Sequence, residues 1–231
     1  LDAFEAAATT VYASTMNKSA LEYRIKRNLE GRDEQMALLV QRVSGSYFGQ
    51  YFMPGAAGVG YSYSSYRLFE NMSMNAGMLR MVMGLGTKAV DRTQGDYPRL
   101  ISLEKPAAQL YPNTAERHRY SQHKIEMLDM NEKRMCEKDL GEILSKIPVG
   151  TQKLLLEHDV DAESIFRERG QYKDILFISL QGLCRNEKFI QLMSDLLKLL
   201  QEKYEYPVDV EYTVNFGDNQ NFVLNLLQCR P

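Results

Sequence analysis

The chain has 231 residues, 44% of them apolar and 25% charged, enough to bury a sizeable core in one large domain or two small ones. Its formal net charge of −2 gives no electrostatic ground for nucleic acid or an acidic membrane as a partner. Three scattered cysteines, Cys136, Cys184 and Cys229, fit a reducing cytoplasm rather than a disulfide frame or a metal-ligand spacing, and no stretch has the length of a membrane span or the form of a signal peptide.

From the N-terminus, Ala3, Phe4, Ala7, Ala8, Val11 and Tyr12 recur at helical spacing and predict a helix over residues 1–16. Ser19 is the expected N-cap of a second helix that stops at Gly31. The apolar run from Met36 to Val43 predicts a buried strand closed by the Ser44-Gly45-Ser46 turn. Val59, Tyr61 and Tyr63 alternate with small residues and predict a strand from Gly58 to Tyr63. The glycines at 55, 58 and 60 lack a following Gly-Lys-Ser/Thr and the strand-loop-helix order of a dinucleotide site, so they read as a turn between strands.

Met78 to Met83 and Pro98 to Leu103 predict two further strands, with a helix starting at Thr87 after the Gly84-Leu85-Gly86 turn. Residues 104–124 carry Pro106, Pro112 and Asn113 and predict an irregular segment, in which His118 and His123 are expected at the surface. Residues 139–170 are charged and helix-prone, and 175–180 form a small apolar run. Asn186 to Tyr204 is the strongest helical pattern, with Phe189, Leu192, Met193, Leu196, Leu199 and Leu200 on one face.

The last 25 residues predict a β-hairpin. Val208, Val210, Tyr212 and Val214 alternate with Asp209, Glu211, Thr213 and Asn215, the polar turn Gly217 to Gln220 follows, and the return strand runs from Asn221 to Gln228. With an even loop and no bulge, cross-strand partners have numbers with an odd sum, which places Glu211 and Gln228 on one face with Asp209 and Arg230. A single bulge would break this arrangement. Such a face is either the solvated side of a ribbon or a set of ligands.

Five stretches, in order, resemble the ATP-binding domain of phosphoenolpyruvate synthase and pyruvate phosphate dikinase, an ATP-grasp fold. Val11-Tyr12-Ala13-Ser14 with Ala20-Leu21-Glu22-Tyr23-Arg24 is similar to the family's helix pair, and Met36 to Val43 to its "VLVQxxV" strand. Gly58 to Ser62 stands for "GVxFT", Met83-Gly84-Leu85-Gly86 for "GLGE", and Asp209-Val210-Glu211 with Gln228-Cys229-Arg230-Pro231 for "DIE…QxRP".

The resemblance implies an α+β, ATP-grasp-like lobe with a mainly antiparallel sheet, packed helices and the C-terminal hairpin, spanning residues 1–231 as one partial domain. It implies Mg-ATP as ligand, with Glu211 and Gln228 as Mg²⁺ ligands, Arg230 as a phosphate contact, and Gln41, Arg42 and Val43 bordering the adenine. The chain opens on Leu1 and closes on Pro231 at a strand end, so it is expected to be a piece of a longer polypeptide, inactive alone. In such a parent enzyme an N-terminal lobe completes the nucleotide site and a histidine on a separate domain carries the phosphoryl group to pyruvate. The family's "GLGE" glutamate is Thr87 here, and neither the basic N-terminal lobe nor a phosphohistidine motif is present. The alternative is a non-catalytic nucleotide-binding or regulatory module that keeps the fold.

Overall fold

The computed structural model describes residues 2–90, 95–217 and 221–231. Two compact units are present, Leu1–Val43 and Ser44–Pro231. Among the described residues no helix is long and apolar enough to cross a membrane.

The first unit holds α1 (Asp2–Ser14) and α2 (Lys18–Lys26). Asn17, rather than Ser19, caps α2: its Oδ1 accepts the Ala20 amide at 2.8 Å and the Ser19 hydroxyl at 2.9 Å. The helix closes at Lys26, short of Gly31, and the Arg24 guanidinium gathers the chain beyond it. That group donates to the carbonyls of Leu29 and Arg32 and pairs with Glu34 at 2.9 Å. Neither helix buries a residue, so the helical periodicity of residues 3–12 is real but its apolar stripe is uncovered.

The strand expected from Met36 to Val43 does not form. Residues 33–45 are irregular, and Leu39 and Val40 are 81% and 72% exposed. An apolar run becomes a strand only where a neighbouring backbone takes up its amides and carbonyls, and no described strand pairs with this one.

The second unit begins with β1 (Ser46–Phe48), β2 (Tyr51–Met53), β3 (Ala56–Tyr61), β4 (Met78–Val82), α3 (Thr87–Val90), β5 (Arg99–Ser102) and α4 (Thr114–Arg119). It continues through β6 (Lys124–Asp129), β7 (Arg134–Asp139), α5 (Leu140–Ile143), α6 (Val149–Leu155), β8 (Leu156–His158), α7 (Val160–Glu168) and β9 (Leu176–Ile178). It ends with α8 (Gln181–Cys184), α9 (Glu187–Tyr204), β10 (Asp209–Phe216) and β11 (Phe222–Arg230). The main sheet has the order β11-β10-β3-β4-β5, a second sheet β1-β2-β6-β7, and β8 pairs with β9, every pairing antiparallel. This is the α+β architecture, with its C-terminal hairpin, that the sequence predicts.

One face of the main sheet packs on α9. Leu79, Met81, Ile101, Val210, Tyr212 and Val214 meet Phe189, Met193 and Leu197 in a single core. The buried stripe of α9 thus runs through positions 189, 193 and 197, while Leu192 and Leu199, expected on it, are exposed. Small residues in β3 let the helix come close: a Cβ at Gly60 would lie 3.4 Å from the Met193 methyl. At Gly58 the missing side chain leaves room for the Tyr212 hydroxyl.

That hydroxyl is buried and has no hydrogen-bond partner, and burial pushes its pKa well above the usual tyrosine value. A buried polar group without a partner costs about 1–3 kcal/mol. Tyr212→Phe is therefore expected to stabilise the fold by about 1–2 kcal/mol, read as a higher denaturation midpoint with an unchanged slope.

The two sheets are joined at the Gly84-Leu85-Gly86 turn. Gly84 has φ +87° and forms a parallel bridge with Glu126, whose carbonyl accepts the Leu85 amide at 2.9 Å. A Cβ at Gly84 would stand 2.5 Å from that carbonyl, so both conformation and space require glycine. Gln122, buried nearby, extends the pairing of Met83: its Oε1 accepts the Met83 amide at 2.7 Å and its Nε2 donates to the Met83 carbonyl at 2.8 Å.

The segment 104–124 is less irregular than its prolines suggest, because Asn113 caps α4 by accepting the Glu116 amide at 2.7 Å. Nor are its histidines simply solvated. His118 stacks on Phe177 with ring centroids 5.0 Å apart and holds Asp159 at 2.8 Å, and both it and His123 are half-buried.

Candidate functional site

The other face of the main sheet carries the polar side chains, and a β-bulge decides which ones. Phe216 pairs with Phe222, five residues apart in the loop count, so partner numbers near the turn have an even sum. That register holds through Tyr212↔Leu226 and then slips by one, giving Glu211↔Gln228, Val210↔Cys229 and Asp209↔Arg230. Leu227 is the extra residue. Neither condition set on the sequence, an even loop and a straight ladder, is met; the odd loop and the bulge offset each other. Had the first register continued, Leu227 and Cys229 would face the acids in place of Gln228 and Arg230.

The same register runs on across the sheet. Glu211 pairs with Val59 and Val59 with Arg80, so Gln228, Glu211, Val59 and Arg80 form one row on this face. The next row is Arg230, Asp209, Tyr61 and Met78. Residues directly opposite one another have Cβ atoms about 4.5–5.5 Å apart, so each row sets its side chains next to one another on one face. Above β3 and β4, α3 covers the apolar part of the face, with Gly86 close against Ala57. The uncovered part is the polar one: Gln228 and Arg230 are exposed, and Glu211, Asp209, Tyr61 and Arg80 are half-buried.

Charge is tightly matched there. Burial raises the Asp209 carboxyl above its ordinary pKa, and Arg230 acts against that rise. Burial likewise raises the Tyr61 phenol, opposed by Arg80 and Arg230 and reinforced by Asp209 and Tyr66. Two cations and two acids thus share this face, to which Gln228 adds a neutral amide. At the other end of the hairpin, Asn215 and Asn225 both donate to the Ser44 hydroxyl, at 2.7 and 2.8 Å, which pins the ladder before the bulge.

A carboxylate facing an amide oxygen is a pair of hard donors, suited to a cation such as Mg²⁺ that keeps most of its shell for water and phosphate. A guanidinium one row away suits the phosphate oxygens. Of the residues expected to bind, Glu211, Gln228 and Arg230 are brought together. Gln41, Arg42 and Val43 lie exposed at the end of the first unit, in irregular chain.

Arg80 and Tyr61 belong to the face and were not foreseen. Their signal in the sequence is alternation: Arg80 is the one charge in the Met78–Val82 run, and Tyr61 sits two positions from Val59. Thr87 is exposed at the start of α3, while the neighbouring Lys88 is buried against Asp96 at 2.7 Å.

No curated protein matches the chain. Residues 2–231 match the family described as pyruvate phosphate dikinase, AMP/ATP-binding domain, and the chain belongs to that family as a nucleotide-binding lobe.

Proposed function

We propose that the polar face of the main sheet is the Mg²⁺- and phosphate-binding wall of an ATP-grasp domain in a phosphoenolpyruvate synthase-like phosphotransferase. Glu211 and Gln228 ligate Mg²⁺, and Arg230 contacts the phosphates. In the complete enzyme an N-terminal lobe closes the site, and a histidine on a further domain accepts the β-phosphoryl group and delivers it to pyruvate. The observation that carries this reading is the bulge at Leu227, which sets Gln228 opposite Glu211 and Arg230 opposite Asp209.

Phosphoryl transfer asks the protein for position and charge neutralisation more than for covalent chemistry. Within this lobe the side chains can do both. Glu211 and Gln228 fix where a cation sits relative to the sheet, and the Arg230 guanidinium offsets phosphate charge at its edge. Held by Glu211 and Gln228, a magnesium ion would supply charge neutralisation for the phosphates.

Calorimetric titration of Mg-ATP into the full-length protein tests the assignment. Glu211→Gln is expected to weaken binding by about 100-fold, since loss of a charge-assisted ligand is worth roughly 2–3 kcal/mol, and to leave Mg²⁺-free ATP binding unchanged. Equal Mg-ATP affinity in both proteins would sink it. Thr87, in place of the family's glutamate, favours a second reading, a module that binds Mg-ATP without transferring phosphate. Intact Mg-ATP affinity together with no transfer to a histidine would select that reading.

A further inference from the structure

The second unit contains a cavity of about 550 Å³ that the ligand face does not account for. Its walls combine two chemistries. Among the described residues that line it, three arginines, Arg80, Arg99 and Arg117, stand against one acid, Glu157, and six tyrosines supply most of the ring surface. We propose that this cavity is a second ligand site, selective for a small aromatic anion: a planar ring bearing a carboxylate or a phosphate.

The charge count comes first. Arg117 spends part of its guanidinium on Glu157, at 2.7 Å, and Arg99 holds the Ala108 carbonyl and the Gln181 amide oxygen, each at 2.9 Å. These bonds fix the planes of two guanidiniums: Glu157 offsets the charge of Arg117, while Arg99, bonded to neutral acceptors, leaves its charge over. In a recess with low-dielectric walls, the surplus favours an anion, and the fixed forks favour one with two oxygens to offer. An arginine held by neutral acceptors keeps its full charge for a ligand.

Shape comes second. Tyr111 and Tyr120 lie stacked with centroids 4.8 Å apart, and Tyr97 meets Tyr120 edge-on at 5.5 Å. Three tyrosines thus form one aromatic wall, rigid because each ring is braced by the next. Such a wall gains from a flat ring and gives little to a bare inorganic ion. The volume is that of an ordinary small-molecule site. Tyr61 and Arg80 line both this cavity and the nucleotide face, so the two sites are neighbours, yet the cavity's own charge and walls carry the proposal whatever the face binds.

Phenyl phosphate is a suitable probe, with inorganic phosphate and phenol as its two halves, each titrated into the protein by calorimetry. Phenyl phosphate is expected to bind at least tenfold tighter than either half. Tyr120→Leu, a change at a partly exposed ring, should cost phenyl phosphate fivefold or more and leave inorganic phosphate unaffected. Arg117→Gln should weaken both phosphates by tenfold or more; where its melting curve shows misfolding, the Tyr120→Leu comparison decides. No binding of phenyl phosphate at millimolar concentration, or equal binding in Tyr120→Leu, would overturn the site. ATP is expected not to displace the probe completely at saturation. Complete displacement that Glu211→Gln weakens along with Mg-ATP binding would place the probe in the nucleotide site and overturn the claim of a second one.

Discussion

Gly58→Ala is expected to disrupt the main sheet with a single methyl group. A Cβ at position 58 would stand 2.2 Å from the backbone carbonyl oxygen of Arg80 and 3.1 Å from the Tyr212 hydroxyl. The carbonyl belongs to the adjacent strand and cannot swing aside like a side-chain tip, so β3 and β4 must part. The resulting loss, about 3–5 kcal/mol, is a large share of the stability of an ordinary domain. Gly60→Ala, two residues on, is the control. Its Cβ would meet only side-chain ends, Val210 at 3.0 Å and Leu79 at 3.2 Å, which can give, and a cost nearer 1 kcal/mol is expected. Denaturant unfolding of both variants checks the contrast; equal midpoints would mean that strand spacing at Gly58 is not the constraint.

Asp96→Asn is expected to destabilise the fold by a similar amount through charge alone. The Lys88 side chain is 7% exposed, and its ammonium rests on Asp96 at 2.7 Å with Glu137 farther off at 3.5 Å. Asp96 also accepts the His123 amide at 2.7 Å and the Lys124 amide at 3.3 Å, so one carboxylate ties α3 to the start of β6. Removing its charge leaves a buried ammonium with only a distant acid, a change worth about 3–5 kcal/mol.

Lys88→Met with Asp96→Asn should recover most of that loss, because methionine fills the same channel without a charge to desolvate. Burial acts to lower the Lys88 pKa, but the bond to Asp96 and the charges of Asp96, Glu137 and Glu126 outweigh it and raise the value. A raised lysine stabilises the fold fully below its unfolded pKa. The benefit fades only as pH climbs through the higher folded value, so wild type and Asp96→Asn should differ at neutral pH and converge in strong alkali. A constant difference across that range would remove Lys88 as the cause.

How much of this was legible in the sequence depends on where the stabilising partner lies. α9 and the hairpin could be read because their periodicities report the face they bury, and the core residues Phe189, Met193, Tyr212 and Val214 follow from that spacing. The run from Met36 to Val43 has equally apolar residues but no ladder partner among the described strands, and local composition carries no record of that. The stripe of α9 came out rotated, with Leu197 buried and Leu199 exposed, because sequence spacing alone cannot say which side of a broad apolar face meets the sheet.

The candidate site was legible in kind but not in extent. Glu211, Gln228, Asp209 and Arg230 were placed together by counting residues. Arg80 and Tyr61 needed the pairing of β3 with both β4 and β10, contacts that join positions from 56 to 214. The tyrosine-lined cavity draws its walls from α4, β8, β9 and the segments around β5, elements whose proximity no short motif announces.

The bulge at Leu227 gives the hairpin a form of arithmetic tolerance. Whether Gln228 and Arg230 share the face of Glu211 is set by the sum of two counts, the residues in the turn and the residues looped out of the return strand, and for the choice of face only the parity of that sum matters. A turn one residue shorter, with Leu227 absorbed into a straight ladder, presents the same Gln228 and Arg230. Single-residue gains and losses at the two places are therefore exchangeable, like compensating shifts of a reading frame. Taking up Leu227 with the turn unchanged exchanges amide and guanidinium for leucine and thiol, whereas a paired change leaves the ligands where they were.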